Sequence, residues 1–194
     1  MLTLLFYIIK IFTLINYNNI LSFWFSESSM KLWFNSTTDF DNDIRTKYQT
    51  LWEQASNHQL DIWQETPSGS VALAIVLDQF PLNMFRGTAK SYSTESQAIN
   101  VSRLAISKKY DHQLNSLELP FLYMPLMHSE DVNDQNDSVR LFEQAKLDKN
   151  IRFAKHHQNI ILKFGRFPHR NKALNRTSTA EELEYLASAQ AFKG

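Results

Sequence analysis

A dense group of chemically versatile side chains lies in one short stretch, "KFGRFPHRNKALNR", from Lys163 to Arg176. Three arginines, two lysines, one histidine and two asparagines surround a single Phe-Pro step there. Guanidinium groups bind carboxylates and phosphates through paired hydrogen bonds, so this composition is typical of an anion site. A purely structural role in joining helices is the alternative, and both interpretations stay open. The candidate ligand-binding residues of the stretch are Arg166, His169, Arg170 and Asn171.

Asp78 is the first candidate catalytic residue, because it falls in the last turn of the most apolar predicted helix. A negative charge is unfavourable beside the exposed carbonyls of a helix end unless a cation lies close by. Arg86 is the nearest candidate cation in sequence, and the arginines of residues 163–176 are the alternative. Arg86 therefore joins the predicted ligand-binding set, and a buried structural ion pair is the competing interpretation.

His157 is the second candidate. On a helical projection of residues 151–164 it lies at the centre of an apolar stripe, whereas His156 is rotated by about 100°. An inward histidine is either a hydrogen-bonded core residue, which desolvation keeps neutral, or a general base. The second role requires a carboxylate or another histidine nearby.

The segment "MHSED", residues 127–131, adds His128 and Glu130 at a predicted helix end. Their structural alternative is a capped and solvated helix terminus. Four side chains thus form the predicted set for proton transfer, and whether they catalyse a reaction is left open: Asp78, His128, Glu130 and His157.

Several common chemistries lack their signatures in this sequence. The adjacent His156 and His157 are the closest histidine pair, and no His-Glu-x-x-His or Glu-x-x-His spacing occurs, so we expect no metal. Four glycines supply neither a dinucleotide fingerprint nor a phosphate loop, so we expect no cofactor. A Gly-x-Ser-x-Gly nucleophile motif and cysteine are both absent.

The elements that must position these residues are predicted to be helices. From Asn19 onward, apolar residues recur at spacings of three and four, without alternating strands, which predicts an all-α domain of seven to eight helices over residues 19–194. Pro81 is expected to end the central helix near Phe80. Thr94 and Gln97 predict a capping box. Residues 26–38 are expected to form a loop that returns Trp33 and Phe34 to the core.

Length and charge limit the partners. The 194 residues suit one domain, and 20 basic residues balance 20 acidic ones, so we expect no nucleic-acid partner. The absence of cysteine suits a cytoplasmic protein. Residues 1–18 form an apolar extension that is doubtful as part of the domain. Its first 15 residues are shorter than a membrane-spanning helix needs, although an anchor that makes the protein membrane-associated is the alternative.

Four ordered blocks of sequence resemble the mainly bacterial family known as domain of unknown function 924. They are "FWF" at 23–25, "LDQFPLNMFRG" at 77–87, "MPLMHSED" at 124–131 and "HQNIILKFGRFPHRNKALNRTSTAEE" at 157–182. The resemblance covers about residues 20–186 and implies an all-helical, tetratricopeptide-repeat-like array of unassigned activity. All predicted site residues match the family pattern. Leu82 and Asn175 depart from it, replacing an arginine and a glycine.

Together, these patterns predict a helical protein with a polar Arg/His/Asp pocket for a small anionic ligand. Stacked helices also form concave surfaces, so the alternative is a scaffold for a peptide or protein partner, with a purely structural polar cluster.

Overall fold

The computed structural model describes residues 16–192, and this part of the chain is helical without any strand. The all-α prediction is confirmed, while the tetratricopeptide-repeat-like arrangement stays a prediction. Residues 1–15, on which the membrane-anchor hypothesis rests, lie outside the described residues. Among those described, no helix is both long and apolar enough to cross a membrane.

Nine helices, not counting four short 3-10 turns, follow one another in residues 16–192. Three consecutive segments, Pro67–Ala74, Ile75–Gln79 and Phe80–Met84, form one uninterrupted run that we call α4. The others are α1 (Tyr17–Trp24), α2 (Glu27–Met30), α3 (Thr38–Ser56), α5 (Glu95–Ser107), α6 (Leu119–His128), α7 (Val132–Gln144), α8 (Asp148–Phe164) and α9 (Ala180–Ala187).

Helix α4 is the centre of the fold, as its nearly uniform apolar sequence predicts. Residues 71–76 are almost completely buried, and α1, α3, α5 and α6 all pack against the run. Helix α6 packs in turn against α7, and α7 packs against α8. A small second core lies beneath the end of the chain, formed by Ile160, Ile161 and Phe167 with Phe164, Tyr185 and Phe192.

The prediction that Pro81 ends the central helix is wrong. Residues 75–79 form a π-helical turn, in which the Phe80 N–H donates to Ile75 O, and the run continues to Met84. A proline inside a helix leaves the carbonyl four residues earlier without its N–H donor. That carbonyl, Leu77 O, accepts a hydrogen bond of 2.6 Å from the Thr94 hydroxyl instead.

The predicted capping box at Thr94 is also wrong, because the Thr94 hydroxyl is used by Leu77 O. The Thr94 side chain makes no cap hydrogen bond, because it donates to Leu77 O and accepts from Trp52 Nε1 at 3.1 Å. Gln97 reaches back to Ser56 O instead.

The segment between α1 and α3 is only partly the predicted loop, since α2 forms within it. Trp33 does return to the core, where its indole N–H donates to Trp24 O at 2.9 Å. Phe34 does not, because 75% of its surface is exposed. Thr37 caps α3, and Gly165 ends α8 in the left-handed conformation.

Replacing Thr94 by valine tests the connection that lets α4 pass through Pro81. Valine keeps the shape but leaves Leu77 O and the Trp52 N–H buried without partners. We expect the free energy of unfolding in urea to fall by about 1–3 kcal/mol. The matched control, S93A, removes an exposed hydroxyl next door and should cost less than about 0.5 kcal/mol. A T94V protein as stable as S93A would contradict this account.

Candidate functional site

The candidate site begins at the π turn of α4, where Asp78 meets His128 from the last turn of α6. The Nδ1 atom of His128 lies 2.9 and 3.0 Å from the two carboxylate oxygens of Asp78. Gln79 Nε2 donates to the same carboxylate at 2.5 Å. The partner of Asp78 is therefore His128, and the prediction of an arginine in that place is wrong. The widened π turn places Asp78 where α6 ends.

This pairing fixes how His128 can act. A carboxylate only accepts, so Nδ1 carries a proton, and in that tautomer the lone pair of the imidazole lies at Nε2. No described residue hydrogen-bonds to Nε2, and the side chain is 15% exposed. A carboxylate behind Nδ1 and a free Nε2 are the arrangement of a general base.

Arg170 joins this pair to the segment that follows α8. Its Nη2 donates to His128 O and its Nη1 to Glu95 Oε2, each at 2.7 Å. The guanidinium carbon lies 4.5 Å from the Tyr92 ring centroid and 4.6 Å from that of Phe167. A cation between two ring faces and beside a helix C-terminus is favoured electrostatically.

Glu95 and Tyr92 also belong to the site, although neither was among the predicted site residues. Burial raises the pKa of the Glu95 carboxyl, and the charge of Arg170 only partly offsets this. The available signal was a carboxylate at the first position of α5, but this is also where helices favour acidic residues for their own stability.

Glu130 follows the end of α6 and binds the segment after α8. It accepts from Phe167 N at 2.8 Å and from Arg176 at 2.7 and 3.0 Å. Burial acts to raise its pKa, but the hydrogen bonds from Arg176 and Phe167 outweigh it and the pKa is lowered. Arg176 is the last residue of the basic stretch 163–176, yet it was not among the predicted ligand-binding residues.

Arg166 and Asn171 form a neighbouring polar unit around Glu182, at the start of α9. Arg166 donates to Glu182 at 2.6 and 2.8 Å, and Asn171 Nδ2 donates to it at 3.2 Å. The hydrogen bonds from Arg166 are the main reason that the pKa of Glu182 is lowered to about 2. Glu182 also completes a capping box with Thr179. This unit fastens α9 to the segment after α8.

The structure does not bring Arg86 into the same group. Arg86 donates to Asp41 of α3 at 2.8 and 3.1 Å and to Asn83 at 3.1 Å. In residues 16–192 it makes no hydrogen bond or ion pair with another predicted site residue. Its place in the ligand-binding set thus has no geometric support.

His157 and His169 complete the cluster on the side of the small second core. His157 is 2% exposed, points inward as predicted, and donates from Nδ1 to Phe153 O at 2.9 Å. Its ring centroid is 6.2 Å from that of His128. Burial is the largest cause that lowers the pKa of both His157 and His169 to about 3. Both rings are therefore neutral near pH 7.

Unpaired buried atoms concentrate here. Ten buried side-chain nitrogen or oxygen atoms of residues 16–192 lack a hydrogen-bond partner, and half of them belong to this cluster. Such atoms are rare because each costs about 1–3 kcal/mol. They mark the cluster as a place for additional hydrogen-bonding groups. The five atoms are His157 Nε2, His169 Nδ1, Arg170 Nε, Asn171 Oδ1 and Arg176 Nε.

The described residues thus form an all-helical fold with a polar cluster between the π turn of α4, the end of α6 and the segment after α8. The family model described as "Bacterial protein of unknown function (DUF924)" matches residues 20–190. The chain belongs to this family, as the four sequence blocks predicted. Asn175, at the position of the usual glycine, has a φ of 57°, a left-handed conformation that asparagine tolerates.

A solved structure supports the same assignment. It is that of a protein of unknown function from Agrobacterium tumefaciens, 35% identical in sequence, with a TM-score of 0.84. The match covers 88% of this chain and 96% of the other. No curated protein matches the sequence. Within the residues described, no three His, Asp or Glu side chains converge as metal ligands.

The low pKa of His157 predicts a pH dependence of stability. Because the pKa falls from 6.5 to about 3 on folding, the unfolded chain takes up the proton first as the pH drops. The stabilisation is complete above pH 6.5 and is lost progressively as the pH falls from 6.5 towards 3. The slope approaches about 1.4 kcal/mol per pH unit.

Urea unfolding at pH 7, 6 and 5 measures this slope. H157N keeps a donor near the Nδ1 position but cannot titrate, so its stability should fall less steeply than that of the unaltered protein. His169 contributes equally to the pH dependence of H157N and of the unaltered protein, so its contribution cancels in the comparison. H112N, at a histidine whose side chain is 74% exposed, is the control and should keep the original slope. Parallel curves for H157N and the unaltered protein would refute the assignment.

Proposed function

We propose that this chain binds a small anionic molecule at the cluster around Arg170, with His128 as the group that exchanges a proton with it. The observation that carries the proposal is the pair of unpaired donors, Arg170 Nε and Arg176 Nε. An arginine N–H cannot be deprotonated, so each is a permanent donor that suits a carboxylate or phosphate oxygen as well as water. We also propose a cytoplasmic location, which the absence of cysteine favours.

The surroundings support one ligand position rather than several. Arg170 and Arg176 both act on Glu130, and Arg170 also contacts the last carbonyl of α6. Arg170 binds the backbone carbonyl of His128, and Nε2 of the same residue is free to act as a base. On this proposal, a ligand oxygen bound by the guanidinium groups lies within reach of His128 for proton transfer.

One observation favours a second function, a scaffold for a peptide or protein partner with a structural polar cluster. Each guanidinium of the site already faces a protein carboxylate: Arg166 faces Glu182, Arg170 faces Glu95, and Arg176 faces Glu130. Charges that are balanced internally can hold helices together without any ligand.

Thermal unfolding with phosphate, sulfate, succinate and malate distinguishes the two functions. An anion at ten times its Kd adds about 1.4 kcal/mol, which raises the Tm of a chain of this size by about 3–6 °C. R176Q should abolish the rise. The control, R140Q, removes an exposed arginine of α7 that pairs with Asp137, and should keep it.

Phosphate and sulfate also stabilise proteins in general. Because this effect acts equally on all variants, the comparison of R176Q with R140Q and the unaltered protein removes it. A Tm that responds to the anions identically in R176Q, R140Q and the unaltered protein would overturn the ligand site. If R176Q then lowers the Tm without any ligand by more than R140Q does, the scaffold is the better account.

A further inference from the structure

The segment after α9 folds back over the two neutral histidines. Residues 188–190 are exposed, and the Phe192 N–H donates to the Tyr185 hydroxyl at 2.9 Å. The Phe192 ring centroid lies 4.3 Å from that of His157 and 5.0 Å from that of His169. An exposed segment held by one ring and few hydrogen bonds opens at low free-energy cost.

The Phe192 ring packs against the two histidine rings but offers no hydrogen-bond donor to them. His157 Nδ1 faces its own helix, so Nε2 points away from α8, towards the rings of His128, Phe167 and Phe192. Nε2 is an acceptor without a partner. A benzene ring offers no N–H or O–H, so the lone pair stays unsatisfied under it.

We infer that Phe192 occupies a binding site for an aromatic ligand, and that the ligand replaces it with a ring that carries a hydrogen-bond donor. A phenol or an indole would keep the ring contacts with His157 and His169 and donate to an imidazole nitrogen. The inference deepens the proposed function and rests on it for the ligand's charge.

The position of the anionic group follows from the neighbours of His169. The guanidinium of Arg170 lies 4.6 Å from the Phe167 ring centroid, which is itself 5.6 Å from that of His169. Arg176 Nη2 donates to Phe167 O at 3.4 Å, so both guanidinium groups lie beside the aromatic site. The ligand class is therefore an aromatic acid with a hydroxyl or N–H donor on its ring. Suitable probes are 4-hydroxyphenylacetate and, as the form without the donor, phenylacetate.

The first experiment needs no ligand. Diethylpyrocarbonate acylates accessible neutral imidazoles, and mass spectrometry of peptides gives the rate at each histidine. In F192A the rate at His157 should rise at least about tenfold, because the segment no longer has to open. F34A, which removes a phenylalanine that is 75% exposed, should leave the rate unchanged.

A second variant distinguishes the loss of the Phe192 ring from a general loosening of the fold. Y185F keeps every ring but removes the hydroxyl that accepts from Phe192, so it should raise the His157 rate less than F192A does. The rate at the exposed His112 should stay constant throughout. A His157 rate that is the same in F192A, Y185F and the unaltered protein overturns the inference.

The second experiment measures binding of the probes by titration calorimetry. We expect 4-hydroxyphenylacetate to bind more tightly than phenylacetate, by about tenfold for one hydrogen bond, and more tightly to F192A than to the unaltered protein. If succinate or phosphate binds but the two aromatic acids do not differ, the inference fails and the proposed function stands. If phenol binds F192A while no anion binds, the proposed anionic ligand fails and the aromatic site stands.

Discussion

The buried guanidinium of Arg170 is the interaction on which the rest of this structure depends. A cation removed from water is costly unless other groups replace its hydration. Here the replacements come from three parts of the chain: the carboxylate of Glu95 at the start of α5, the last carbonyl of α6, and the rings of Tyr92 and Phe167. Arg170 can be satisfied only when these elements have assembled.

The contacts of Arg170 also connect the core around α4 to the candidate site. The π turn in α4 lets the helix pass Pro81 and places Asp78 against His128. Arg170 holds the backbone of His128, and Glu130 holds Phe167 and Arg176. His128 is thereby held twice, through its Nδ1 by Asp78 and through its backbone carbonyl by Arg170.

The sequence was sufficient for the features that depend on local periodicity. The helical class, the buried α4, the inward His157 and the left-handed Gly165 each follow from spacing or from one residue type. It was insufficient where a distant group decides the local structure. Pro81 is tolerated because Thr94, thirteen residues further on, satisfies Leu77 O. The partner of Asp78 could not be deduced either, because His128 is fifty residues away in sequence and charge alone favoured an arginine.

A double-mutant cycle between Arg170 and Glu95 tests the central role of the buried guanidinium most directly. R170M leaves a carboxylate without its partner and E95Q leaves a cation without its partner, so each should destabilise strongly, by up to about 3–5 kcal/mol. The double variant should be more stable than the sum of the two losses implies, by at least about 1 kcal/mol in urea unfolding. Losses that add within about 0.5 kcal/mol would contradict the account, because the two side chains would then not depend on each other.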